Sequence, residues 1–506
     1  MSDAVELFSQ DSFARTFDGV DAVASSGAPQ TVDILQALSK RRVYIVKNTG
    51  QASYRKGADF FDFFTAGRLD GRPDGSKSVR VNNRVRNAIK AALGTLQLRS
   101  RDPDVRVRAA EAVARSGNVA VLPTLATLIE TEQDAGVKRV FEETRAVLVL
   151  QNDATGTDAK LQAIETLRQR GDQKAAAIIR TAQASPDPAV ASAAAAALGS
   201  IEGWLQFASG MQNVWYGISL GSVLLLAAVG LAITFGVMGV INMAHGEMVM
   251  LGAYTTFTVQ ELFRTFAPGA FDYSLLVAIP AAFAVAGLVG IAIERGIIRF
   301  LYGRPLETLL ATWGVSLILQ QAVRTIYGPT NREVGSPSFM SGGFEWAGLE
   351  ITYGRLWIVV FALAVFLVLF VVLKTTSLGL QMRAVTQNRR MAASMGINTS
   401  YVDVMTFGLG SGIAGIAGVA LSQIDNVSPN LGQSYIVDSF MVVVFGGVGN
   451  LWGTLVSAFT LGIANKFMEP WTGAVLAKIM ILVAIILFIQ KRPRGLFALK
   501  GRAIEA

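Results

Sequence analysis

The sequence predicts an all-α protein, a polytopic helical membrane bundle preceded by a HEAT-like α-helical soluble domain. Three observations carry that prediction. Charged residues make up about a quarter of the chain up to Ser200 but only about a tenth from Ile201 onward. The charge-poor part holds a series of apolar runs, several near the roughly 20 residues that a helix needs to cross about 30 Å of hydrocarbon. The charge-rich part repeats a helix-start signal, Asp102-Pro103 and again Asp187-Pro188. The domain boundary is expected at Gly199-Ser200, so that residues 1–200 are soluble and 201–506 form the membrane part.

Asp-Pro opens a helix because Asp caps the free backbone N–H groups and Pro is tolerated at the first helical position. After Asp102-Pro103, residues Val105, Ala109, Ala112 and Val113 share one helical face. Leu122, Leu125, Leu128 and Ile129 form the apolar stripe of a second helix, and Asp134-Ala135-Gly136-Val137 opens another unit. Two further helices are expected between Asp153 and Ala184. Such pairs predict a short helical solenoid, which either offers a docking surface or only packs on its neighbours. Before Ser100 the pattern is less regular. A strand is expected at Val43-Tyr44-Ile45-Val46 and a turn-rich loop over Asp70–Ser78.

The apolar runs are Val214–Val240, Tyr273–Ile298, Leu306–Tyr327, Leu356–Leu373, Tyr401–Ile424 and Trp471–Gln490. Glycine interrupts two more, Ile241–Leu262 and Ile436–Phe467, the second through Phe445-Gly446-Gly447-Val448-Gly449-Asn450. Splitting the latter gives nine crossings, or eight if one interrupted element is re-entrant. With nine, the basic segments Glu294–Arg304, Lys374–Arg390 and Lys491–Arg494 share a side, which the positive-inside rule makes cytoplasmic. Gly328–Gly354, Asp425–Ser434 and the N-terminal domain then fall outside. Met1-Ser2-Asp3-Ala4-Val5-Glu6 has neither the basic nor the apolar region of a secretory signal. Export therefore calls for a translation start upstream, a later segment that directs translocation, or a count that differs by one. The first reading is adopted.

Ile241-Asn242-Met243-Ala244-His245-Gly246-Glu247-Met248 puts an amide, the only histidine of the chain and a carboxylate between two apolar segments. Polar groups at membrane depth are costly and tend to face a bundle interior or a solute path. The two interrupted runs occupy corresponding places in the two halves of the bundle, a pointer to an inverted repeat with its path at the midplane. Asn242, His245 and Glu247 are therefore candidate path residues. The plainer reading is that the glycines serve helix packing and that His245 and Glu247 tie a broken helix to its neighbours.

Several chemistries are disfavoured. There is no cysteine, hence no disulfide, thiolate or cysteine-based metal site, and one histidine argues against a zinc site. Gly75-Ser76-Lys77-Ser78 lacks the spacing of a phosphate-cradling loop. No nucleophile–base pair stands out, so no catalytic residue, metal or cofactor is expected and the chain is not an enzyme. The net charge of +8 calls for no nucleic-acid partner, because the membrane part carries much of its Lys and Arg in short loops, where the positive-inside rule explains them.

Thr376–Asn398 reads as one short amphipathic helix ended by Gly396, either a solvated loop or a surface that docks on a partner. Here the sequence resembles a family. Ile241–Gly246, then Gly379, Arg383-Ala384, Asn388 and Met395-Gly396-Ile397-Asn398, then Gly446-Gly447-Val448-Gly449 are similar to branched-chain amino-acid-type ABC transporter permeases over about Asn213–Phe497. The urea-type branch is resembled in Ser411–Gly415, Ser434–Phe445, Ala464–Trp471, Ile489–Phe497 and Val81-Asn82-Asn83-Arg84, and it also carries a long N-terminal domain. That branch commonly begins with a signal peptide, which this sequence does not show. The resemblance implies a subunit of an ATP-driven importer, most closely for urea, in a bacterial inner membrane, with the N-terminal domain periplasmic. Its implied partners are two ATP-binding subunits, a second related permease, a periplasmic substrate-binding protein and the lipid bilayer. Gly379, Arg383, Asn388 and Gly396 would belong to the helix that seats in the ATP-binding subunit. The alternatives are a branched-chain amino-acid permease, a passive channel and a membrane-tethered helical scaffold.

Overall fold

The structure, a computed structural model, describes residues 1–46, 50–346 and 348–497. The chain divides into two compact units, Met1–Gln206 and Phe207–Ala506. It is mostly helical, but the first unit departs from the all-α prediction.

That unit opens with α1 (Ser2–Ser9), α2 (Phe13–Ser25) and α3 (Thr31–Ser39), followed by an antiparallel sheet in the order β4-β3-β2-β1-β5. The strands are β1 (Val43–Ile45), β2 (Ala52–Lys56), β3 (Asp59–Asp62), β4 (Arg68–Leu69) and β5 (Lys77–Ser78). None exceeds five residues, too few for alternation to stand out in the sequence, and only β1 coincides with an expected strand. The β2–β3 register pairs Lys56 with Asp59 around a two-residue turn that has Gly57 at φ 66°. Val43, Ile45, Ala52, Tyr54 and Phe63 are buried with Val5, Phe8, Ile34 and Leu35 of the helices.

The rest of the unit is α4 (Asn83–Gln97), α5 (Pro103–Ser116), α6 (Leu122–Thr131), α7 (Ala135–Gln151), α8 (Thr157–Arg170) and α9 (Gln173–Ala182). The Asp signals act as caps. Asp102 accepts from the Asp104 N–H at 2.9 Å, Asp134 from Gly136 at 2.8 Å, and Asp187 from Ala189 at 2.9 Å. Leu125, Phe141 and Leu148 centre one core, and Ile164, Leu167 and Ile179 the next.

The boundary between the units falls within α10 (Pro188–Met238). Then come α11 (His245–Phe266), α12 (Ser274–Gly296), α13 (Pro305–Tyr327), a hairpin of β6 (Gly343–Trp346) and β7 (Leu349–Thr352), and α14 (Tyr353–Thr375). Two short helices, α15 (Ser377–Gln387) and α16 (Arg389–Ser394), lead into α17 (Thr399–Leu421), α18 (Leu431–Gly446) and α19 (Leu451–Lys491). Among the described residues, five helical stretches are long and apolar enough to cross a membrane: Pro188–Met238, Pro268–Phe300, Tyr353–Thr375, Thr399–Leu421 and Leu451–Lys491. The expected runs lie largely in helices, with residues 241–244 and 447–450 of the two glycine-interrupted runs outside them. However, α11 and α13 are diluted by polar residues, and α18 has only 16 residues.

The 41 residues of α19 are not one straight rod. A straight helix of that length would be about 61 Å long. Yet Asn450, just before it, bonds the Phe497 carbonyl, and the Leu496 and Phe497 N–H groups bond Phe445 and Gly446. Six residues after Lys491 reach at most about 21 Å. The chain therefore doubles back at Gly473 (φ 78°, ψ 161°), just after Pro470, and forms two antiparallel halves.

At the centre of the bundle lies α17, buried continuously from Gly410 to Leu421. It meets α11 and α12 almost backbone to backbone. A Cβ on Gly252 of α11 would strike the Gly415 backbone, so bulk at this contact would push the helices apart.

Candidate functional site

The break between α10 and α11 turns at Gly239 (φ 68°) and is stitched by polar contacts. The Asn242 side chain, 1% exposed, accepts from the Ala244 N–H at 3.0 Å and fixes the turn into α11. The Met243 N–H donates to Thr312 Oγ1 of α13 at 3.1 Å. Buried His245 reaches the other way, with Nε2 2.9 Å from the Ala227 carbonyl of α10. A carbonyl only accepts, so Nε2 carries the proton in this contact. Glu247 Oε1 accepts from Ser316 Oγ and Gln320 Nε2 of α13, both at 2.8 Å. All three predicted residues are thus buried within the subunit. His245 and Glu247 grip helices on either side of α11 rather than converging on one point. A Cβ on Gly246 between them would strike the Gly432 carbonyl of α18, so the motif sits in a close helix contact.

Glu247 depends on residues that the sequence reading passed over. Thr308, Thr312, Ser316 and Gln320 recur at every fourth position of α13 and are all buried. The opposite face bears Leu306, Leu310, Trp313, Leu317 and Ile318, all exposed. This is a helix with its polar stripe inward and its apolar face outward, as a bilayer demands. The four-residue spacing was the available signal. A polar pair between two other helices also escaped notice. Lys478 of the returning half of α19 bonds Asp438 of α18 at 2.8 Å.

The predicted coupling residues sit where α14 turns back. Contrary to the single helix expected, α15 and α16 are separate, because Asn388 is extended (φ −155°) and caps α16 by accepting from the Met391 N–H at 3.0 Å. Gly379 packs so tightly that a Cβ would overlap the Leu373 carbonyl, and Arg383 donates to the same oxygen. The cation thus covers the exposed end of α14, where helix carbonyls lack partners. Gly396, at φ 89°, ends the segment. A cavity of about 680 Å³ opens beside it, lined by Ile233, Phe370, Lys374, Arg383, Gln387 and Trp452 among others.

One further cluster adjoins this segment. Arg389, the first residue of α16, makes a two-pronged ion pair with Asp403 of α17, whose side chain is 1% exposed. The guanidinium also lies over the Tyr302 ring, 4.6 Å from its centroid. Burial, then the Asp403 carboxylate, pushes the Tyr302 phenol up, so it stays a neutral hydroxyl. Among the described residues no group of three or more histidine, aspartate or glutamate side chains is placed to hold a metal ion.

Residues 213–489, more than half the chain, match the family of the branched-chain amino acid transport system permease component. The chain belongs to that family. This permease is similar to the high-affinity branched-chain amino acid transport system permease protein LivH of Escherichia coli K12, 30% identical over 304 residues. That alignment covers 58% of this chain and 96% of LivH. Similarity to BraD of Pseudomonas aeruginosa, a protein of the same description, is 29% over 293 residues, 56% of this chain and 95% of BraD. The ribose import permease protein RbsC of Escherichia coli K12 is 28% identical over 207 residues, 38% of this chain and 61% of RbsC. No solved structure matches. The protein is thus a multi-pass membrane permease of an ABC-type transport system rather than an enzyme, and membership implies ATPase and binding-protein partners.

Proposed function

We propose that this permease imports urea, with a second permease completing the path, two ATP-binding subunits on the cytoplasmic side and a periplasmic binding protein delivering the solute. One observation carries the choice of substrate. LivH and BraD are covered almost end to end by little more than half of this chain, while Met1–Gln206 folds as a compact unit of its own. A long N-terminal domain before the bundle is one of the features, beside the sequence motifs, in which this chain resembles the urea-type branch. In this reading the domain is a HEAT-like array in the periplasm that docks the binding protein or the sister permease. The bundle is an inverted repeat of eight or nine crossings. Asn242, His245 and Glu247 shape the path wall from within the subunit, and Gly379, Arg383, Asn388 and Gly396 shape the ATPase-coupling turn. Urea is neutral, with donors and acceptors, so amides and hydroxyls suffice to pass it.

The test is uptake of radiolabelled urea by cells that lack their own system and carry the whole operon, with and without this chain, against excess unlabelled leucine. Uptake that needs the chain and ignores leucine is expected. Leucine competition would instead favour an amino-acid permease, the reading that the names of LivH and BraD support. In the same assay His245→Ala, which deletes the bond to Ala227, should cut uptake with assembly intact. Normal uptake by that variant would remove His245 from the path wall.

A further inference from the structure

We infer that Arg389 is the positioning residue through which the coupling segment moves the bundle, acting on Asp403 and Tyr302. This rests on the ATP-driven reading above but on no choice of solute. The hydrogen bond of Arg383 goes to the end of its own preceding helix, α14. Arg389 instead leaves the segment and joins two other elements, α17 through Asp403 and the α12–α13 connection through Tyr302.

What lies beyond those contacts gives the relay its reach. Asp403 is the fifth residue of α17, the central helix whose glycines meet α11. Tyr302 lies three residues before α13, which supplies both hydrogen bonds to Glu247. A displacement of α16 therefore pulls at once on α17, which packs on α11, and on the connection into α13, which bonds Glu247 of the α11 motif. A planar guanidinium suits this task. It grips a carboxylate with two parallel bonds while stacking on a ring, which a lysine ammonium does not do. The pair is also costly to break, because Asp403 is buried and would lose its counter-charge.

The chain has no cysteine, so one introduced at exposed Thr325, near the far end of α13, reports on that helix alone. In the whole purified transporter, ATP with vanadate is expected to change the maleimide-labelling rate of Thr325→Cys on this chain. Adding Arg389→Ala should abolish that change while ATP hydrolysis continues, and Arg389→Lys should weaken it. The exchange Arg389→Asp with Asp403→Arg should restore part of it, which no simple loss of folding would allow. A full ATP-dependent change in the Arg389→Ala protein would overturn the relay, as would an exchange variant that assembles and hydrolyses ATP yet shows no change. If the parent itself hydrolysed ATP with no change at Thr325→Cys, the relay would fall together with the ATP-driven reading. If only the urea assay fails, the relay stands.

Discussion

α13 and α14 each have 23 residues and stand in the same bundle, yet they are built on opposite plans. From Leu356 to Leu373, α14 contains no charged, amide or hydroxyl side chain. Its buried face is Ile358, Ala362, Phe366 and Leu369, and its exposed face, with Leu363, Leu367 and Val368, is just as apolar. α13 exposes a similar face but buries Thr308, Thr312, Ser316 and Gln320. Lipid is as apolar as leucine, so an outward face says little about a helix's role. The inward face distinguishes them: α14 packs, while α13 holds a buried carboxylate.

The sharpest way to break that contrast is to make α13 resemble α14. Ser316→Leu with Gln320→Leu would leave Glu247 buried without either donor. A buried polar group left unsatisfied costs about 1–3 kcal/mol per lost partner, so roughly 2–6 kcal/mol for the two together. A large drop in the thermal midpoint of the purified protein is expected, with little folded protein in the membrane. A double variant as stable as its parent would show that α13 does not support Glu247.

A smaller effect is expected within α14. Leu369→Ala empties part of a packed contact and should cost about 2–3 kcal/mol, the low end for a buried leucine. The same unfolding measurement checks it. A loss near zero would mean that the neighbours of Leu369 collapse into the space.

The contrast also explains what was legible beforehand. The runs behind α12, α14 and α17 were plain, because length and hydropathy are local properties. The Asp-Pro starts of α5 and α10 were equally plain, since a cap is set by adjacent residues. Arg389 and Asp403 are separated by α16 and the turn into α17, and nothing in their spacing announces a pair. Lys478 lay hidden in an apolar run because its partner, Asp438, is on a different helix. Asn242, His245 and Glu247 stood out as polar residues in an apolar setting, but their partners Ala227, Ser316 and Gln320 depend on how the helices pack. The sheet was missed apart from β1, since strands of two to five residues carry almost no periodicity.

Leu367→Ala on the outer face of α14 should have the smallest effect of all. Leu367 is 61% exposed and lies beside Leu363 and Val368, with no polar group to satisfy. If this face meets lipid, the truncated side chain exchanges one apolar neighbour for another. Stability should then change by less than about 0.5 kcal/mol, as for an ordinary surface position. Its value is that it separates two surroundings the exposure figures treat alike. A face covered by the second permease would be packed like a protein interior, and Leu367→Ala would then weaken association between the two permeases. Measuring co-purification of the sister subunit alongside the unfolding midpoint reads both at once. An unchanged midpoint with reduced co-purification would move the α14 face from the lipid side of the comparison to the subunit side.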